Sequence, residues 1–145
     1  MRMRSVKNAV VGLALVGVFA GGAGVAVAAS WHEMSALHSD GVRFYKGEYA
    51  FNKPRVNHGA FEWKGSLEDS DPGDGHNVYM QAKVEGHGWS RYNGKQRKTV
   101  TLHRSMWDGA QAYTSNGYLR ACRDRGSLRP DNCSPQRHYS NPASR

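Results

Sequence analysis

Apolar and polar side chains alternate through the middle of this chain. In GAFEWKGSLE, Phe61, Trp63 and Leu67 share one parity, and Glu62, Lys64 and Glu68 the other. A period of two is the mark of a half-buried strand. The clearest case is VYMQAKVEGHGW, Val78 to Trp89, with Val78, Met80, Ala82 and Val84 on one face. Tyr79, Gln81, Lys83 and Glu85 occupy the other face. Between these runs, DSDPGDGHN at residues 69 to 77 reads as a turn region and the connection of a hairpin. Lys95 to His103 resumes the alternation with Val100 and Leu102. Asn93-Gly94 precedes it, so these two strands also read as a hairpin joined at an Asn-Gly turn. Asn116-Gly117 is a second hairpin signal ahead of Tyr118 to Asp124.

The flanks lack such order. Residues 30–57 show one short alternating piece, Val42 to Tyr49, broken by Gly47 and followed by Pro54. This stretch reads as an extended N-terminal arm with scattered aromatics. Residues 135–145, polar and with Pro135 and Pro142, read as a flexible tail. Helical periodicity is scarce and no internal repeat occurs. The pattern predicts an all-β domain over residues 58–134, a small antiparallel β-sandwich or open barrel with the arm and one disulfide.

Residues 1–29 stand apart. Arg2, Arg4 and Lys7 precede an apolar, Gly- and Ala-rich run that exits through Ala26-Val27-Ala28. A basic start, an apolar middle and a small-residue exit describe a secretory signal peptide. The expectation is an extracellular protein, free of the membrane once the signal is cleaved. Export changes how the cysteines read. Cys122 and Cys133 are the only two in the chain, and in an oxidising compartment they pair as a disulfide.

Charge is distributed unevenly. Residues 31–90 carry six basic and nine acidic side chains, a net of −3. Residues 91–145 carry eleven basic and three acidic, a net of +8. The second half therefore presents a positive field suited to an acidic protein surface, cell-wall anions or nucleic acid.

Candidate chemistry is sparse. Asp69-Ser70-Asp71-Pro72-Gly73-Asp74-Gly75 resembles a calcium loop by eye. Its spacing fails, because Gly73 falls on a ligand position and Met80 on the position of the bidentate glutamate. No GxSxG elbow is present, and the seven histidines lack metal-ligand spacing. A small ribonuclease needs a carboxylate base, a histidine acid and a phosphate-binding cation. Glu62 or Glu85, His87 or His103, and Arg91 or Arg104 are the available residues. Trp89, Arg91, Tyr92, Lys95, Arg97 and Lys98 interleave rings and cations as a nucleic-acid surface does. Without an RNA- or DNA-binding motif in an exported chain, a protein-binding or glycan-facing surface is the favoured reading. The loop from Cys122 to Cys133 also resembles a protease-inhibitor loop that presents Arg125 or Arg129. Arg129-Pro130 is an awkward bond for a protease to engage.

The blocks VYMQAKVEGHGWSRYNGKQ, WDGAQAYT and YLRACRDRGSLRPDNC look like those of small secreted actinobacterial disulfide-bearing β proteins. Over residues 58 to 133 the layout resembles the adaptor subunit of umbrella toxin particles. There, a small secreted protein links a lectin-bearing subunit to a large polymorphic toxin. The resemblance implies a non-enzymatic connector in interbacterial antagonism, with no catalytic residue, cofactor or metal. On this reading Trp31, Phe44, Tyr45, Tyr49 and Phe51 of the arm engage one partner. Arg97, Arg104, Arg120, Arg123 and Arg125 meet an acidic surface on another.

Overall fold

The strict alternation in GAFEWKGSLE becomes the central strand of a β-sandwich. In the computed structural model, which describes residues 29–109 and 112–145, that strand is β4, Phe61–Asp69. Its odd-numbered positions are buried and its even-numbered ones half-buried. Before it come β1 (His32–Glu33), β2 (Leu37–Ser39) and β3 (Val42–Phe51). After it come β5 (Val78–Val84), β6 (Ser90–Asn93) and β7 (Thr99–Met106). The chain closes with β8 (Asn116–Arg123), β9 (Asn132–Cys133) and β10 (Arg137–Ser140). The signal-peptide segment lies almost wholly outside the described residues.

Two antiparallel sheets result. In the first, β3, β4 and β7 run side by side, and β1 and β2 share the outer edge of β3. In the second, β8, β5 and β6 run side by side, and β9 and β10 share the outer edge of β8. The inward parities meet between the sheets. Phe44, Phe61, Trp63 and Leu67 pack against Val78, Met80, Val84, Leu119 and Ala121. The all-β fold and the bridge between Cys122 and Cys133 are as the sequence predicts.

Residues 30–57 are not an arm. They supply β1 to β3, and Leu37, Val42, Phe44 and Ala50 are buried. Their period was hidden by a bulge between Tyr45 and Glu48. Lys46 there takes φ 50°, and the added residue changes which parity faces inward. Val42 and Phe44 point in before the bulge. Tyr49 and Phe51, opposite Trp63 and Phe61, point in after it.

The C-terminal tail is likewise built into the fold. β10 pairs with β8 from Arg137↔Leu119 to Ser140↔Asn116. The ring of Tyr139 lies tilted against that of Tyr49, 4.4 Å away, and buried Asn141 donates to the carbonyl of Thr114 at 2.8 Å.

The hairpins read from the acidic turn and from the Asn-Gly pairs are also corrected. β5 and β7 lie in different sheets, and so do β4 and β5. Residues 70–77 and 94–98 are therefore crossings between layers. A tight Asn-Gly hairpin turn needs left-handed φ values. Gly94 and Gly117 are not among the glycines with positive φ. Both serve packing instead. A Cβ at Gly94 would lie 2.9 Å from Leu67 and Val78, and one at Gly117 would lie 2.5 Å from the ring of Phe61.

Candidate binding surfaces and an acid–base pair

The outer face of the second sheet carries the odd parity of β5 beside the even parity of β8. Register places Lys83 opposite Tyr118 and Gln81 opposite Arg120. Trp89 lies over this junction. Lys83 Nζ is 4.6 Å and the Arg120 guanidinium 4.5 Å from the centre of its ring. Lys83 also lies 5.0 Å from the ring of Tyr118, which stacks at 4.7 Å on His138. Arg120 Nε donates to Gln81 Oε1 at 2.7 Å. Further along, Arg91 covers the ring of Tyr79 at 3.7 Å and pairs with Asp124 at 2.7 Å. The hydrogen bond from Arg91 holds the Asp124 carboxyl below its ordinary range. Tyr79 donates its hydroxyl to Asp131. Burial together with that carboxylate pushes the phenol up to about 12. The face is thus a row of rings and cations held in place before anything binds. Trp89, Arg91 and Arg120 were singled out in the sequence. Lys83 and Tyr118 were not, because only the pairing of β5 with β8 makes them neighbours.

The outer face of the first sheet carries a different cluster. Glu62 on β4 accepts from Asn52 at 2.7 Å, Asn57 at 2.6 Å and the ring of His103 at 3.0 Å. Burial raises the Glu62 pKa, but the hydrogen bonds from His103, Asn52 and Asn57 outweigh it and hold the carboxyl below its ordinary range. Asn57 also donates to Ser105 Oγ at 2.8 Å. The segment presenting Asn57 is strained, with positive φ at Arg55, Asn57 and His58, conformations that cost on the order of 1–3 kcal/mol each. Trp31 leans edge-on over His103 at 5.5 Å, and Lys64 sits 4.0 Å above its ring. Of the acid–base candidates, Glu62 and His103 meet. Glu85 instead clamps the amides of Ser115 and Asn116 at 2.6 and 2.7 Å, and His87 bonds the carbonyl of Asp108.

The remaining predicted contacts disperse. Phe44 is fully buried and offers no surface to a partner, which corrects its assignment as a contact residue. Tyr49 and Phe51 belong to the rim of the core. Tyr45 lies under the Arg43 guanidinium at 4.3 Å on the first sheet's outer face. The five arginines share no single face. Arg97 ties the 94–98 crossing to the acidic turn through its amide to Asp69 at 2.7 Å and its Nε to Pro72 at 3.2 Å. Arg123 is consumed internally by Asp74 at 3.0 Å and Asn132 at 2.9 Å, with its side chain 16% exposed. The Arg125 amide is held by Asp131 at 2.9 Å. Arg104 and Arg120 keep access to solvent, on the first sheet's edge strand and the second sheet's outer face.

Two of the three carboxylates of the acidic turn are likewise taken up by the protein: Asp69 by the amides of Asp71 and Arg97, Asp74 by His76 and Arg123. No helix among the described residues is long and apolar enough to cross a membrane. Comparison with protein-family models, curated proteins and solved structures gives no match.

Proposed function

We propose that this protein is a secreted, non-catalytic interaction module, an adaptor within a secreted antibacterial toxin complex of the umbrella type. The observation that carries the binding reading is Trp89 held between Lys83 and Arg120 on an open sheet face. Trp, Tyr and Arg dominate the energetics of protein interfaces. Side chains already fixed by cation–ring contacts lose less freedom when a partner arrives. The positive charge selects and steers an acidic protein surface. Export follows from the basic, apolar and small-residue order of residues 1–29, and the connector role from the resemblance of residues 58 to 133 to umbrella-particle adaptors. The test is recovery of stoichiometric protein partners from native culture supernatant at low salt. Trp89→Ala, or Lys83→Glu with Arg120→Glu, removes a partner from the recovered set while the fold persists. Recovery of no partner by the native chain sinks the proposal.

A second reading, a small secreted ribonuclease, is favoured by one observation, the 3.0 Å contact between Glu62 and His103. An ionised Glu62 would take the proton of a ribose 2′-hydroxyl as that oxygen attacks the adjacent phosphorus. A protonated His103 would give a proton to the departing 5′-oxygen, leaving a cyclic phosphate. RNA cleavage by the purified chain, abolished in both Glu62→Gln and His103→Ala, would establish it. Intact RNA after prolonged incubation disposes of it.

A further inference from the structure

The geometry points to the free edge of β7 as a docking site for an extended, acidic segment of a partner polypeptide, a reading that rests on the interaction-module proposal. β7 ends the order of the first sheet, and among the described residues no strand pairs with its outer side. The Asp69 amide donates to the Lys98 carbonyl at 3.1 Å, which sets the phase of the ladder. With the register Phe61↔Met106 to Glu68↔Thr99, Val100, Leu102, Arg104 and Met106 bond to β4. Thr99, Thr101, His103 and Ser105 turn their N–H and C=O groups away from it. The Arg104 guanidinium donates to the His103 carbonyl at 2.8 Å, occupying an acceptor that an incoming amide would take.

Exposed edges are commonly blunted by shortness, proline or a bulge. β7 has none of these. Its pairing with β4 is unbroken over eight residues, whereas β6 on the corresponding edge has four. Charge is its guard. His103 and Arg104 lie on β7, Lys95, Arg97 and Lys98 fall in the crossing that leads into it, and no carboxylate occurs from 94 to 107. Like charges laid edge to edge repel, so a second copy of this chain is disfavoured and an acidic strand is favoured. Addition of a strand supplies main-chain hydrogen bonds, and side-chain pockets supply specificity. Such a pocket lies at the C-terminal end of β7, a recess of about 500 Å³ lined by Trp89, Tyr92, Met106 and Trp107 among others. Trp107 is 44% exposed there. The occupant is therefore an acidic strand carrying an apolar side chain at one end.

The probe is a short acetylated peptide alternating glutamate and threonine, with leucine at each end. Residue-resolved amide exchange on the secreted chain reads the contact. Exchange at Thr99, Thr101, His103 and Ser105 slows by about tenfold or more, the factor that about 1.4 kcal/mol of added protection gives. Val100, Leu102 and Arg104, already bonded to β4, stay as they were. The matching lysine–threonine peptide leaves all of them unchanged. Thr101→Pro removes an outward donor at an edge position that tolerates proline, and it abolishes the protection. If that variant loses the fold, Lys98→Glu with Arg104→Glu is the substitute and cancels the effect by charge alone. Protection that appears elsewhere, or nowhere, or that survives a folded Thr101→Pro, overturns the inference. Such a failure leaves the interaction-module proposal standing, since that is read by partner recovery and Trp89→Ala.

Discussion

Cys122 and Cys133 sit directly opposite each other on β8 and β9, 11 residues apart in sequence. Closing a loop of that length removes unfolded-state entropy equivalent to about 3 kcal/mol at 25 °C in the chain-entropy treatment. A domain of this size has a net stability of about 5–15 kcal/mol, so the bridge is a large share of it. The native loop, however, does not depend on the bridge for its shape. Ser134 donates its amide to Ala121 at 2.8 Å, its hydroxyl accepts from the Ala121 amide at 3.0 Å, and Asn132 reaches Ser39 and Asp40 at 2.9 and 2.8 Å. The perturbation is therefore reduction of the native chain in parallel with the double variant Cys122→Ala, Cys133→Ala. Reduction keeps every sulfur atom and so tests the cross-link without emptying side-chain volume. The alanine pair also empties space at fully buried Cys122 and costs about 1 kcal/mol more. Urea unfolding of all three forms, with amide exchange of the folded state, gives the comparison. The expected result is an unfolding free energy lowered by about 3 kcal/mol, or roughly 10–15 °C in Tm, with residues 121 to 134 still protected in the native state. A loss under about 1 kcal/mol, or a reduced form in which β9 no longer pairs with β8, refutes this account.

Gly65→Ala and Gly117→Ala push a Cβ to within 2.4 Å of the Phe44 ring and 2.5 Å of the Phe61 ring. Each destabilises by about 1–3 kcal/mol in denaturant unfolding, whereas Gly73→Ala, with open space around it, is near neutral. Glu85→Ala leaves the amides of Ser115 and Asn116 without their shared carboxylate and costs about 2 kcal/mol, with faster amide exchange at the start of β8. The carboxyls of Glu62, Asp74 and Asp124 all titrate below their ordinary values in the folded state. The unfolded chain therefore binds protons first as pH falls. Their stabilisation is complete above the unfolded values near 4 and is lost on acidification through the folded ones. A titration of unfolding free energy from pH 6 to pH 2 shows that decline, and Glu62→Gln makes it shallower.

Much of the fold was legible where a strand keeps one phase. β4 and β5 alternate without interruption, so their inward residues were identified from parity alone. β3 was not, because the bulge at Lys46-Gly47 moves the inward-facing set from even to odd positions, while Ala50 on the outer parity is buried as well. β10 was missed because a short strand of Arg, His, Tyr and Ser carries almost no apolar signal. Its place is set by Tyr139 meeting Tyr49 and by Asn141 meeting Thr114. The Asn-Gly pairs misled for a related reason. Glycine is used for a turn or for close packing against a neighbouring side chain, and sequence does not distinguish the two. Among candidate functional groups, Glu62 and His103 stood among several equivalent choices until strand order placed β7 beside β4. The arginines looked alike in sequence, yet Arg123 is spent on Asp74 while Arg120 lies open beside Trp89.

By itself the sequence determined the all-β class, the disulfide, the inward faces of β4 and β5, and the positive second half. These depend on local period, on there being one pair of cysteines and on charge count, which need no knowledge of neighbours. Tertiary structure alone decided which strands share a sheet. It joined Lys83 to Tyr118, brought Glu62 to His103, left the edge of β7 unpaired among the described residues, and folded both flanks into the sandwich. Those outcomes depend on long-range pairing and packing between residues far apart in the chain, which no local pattern encodes.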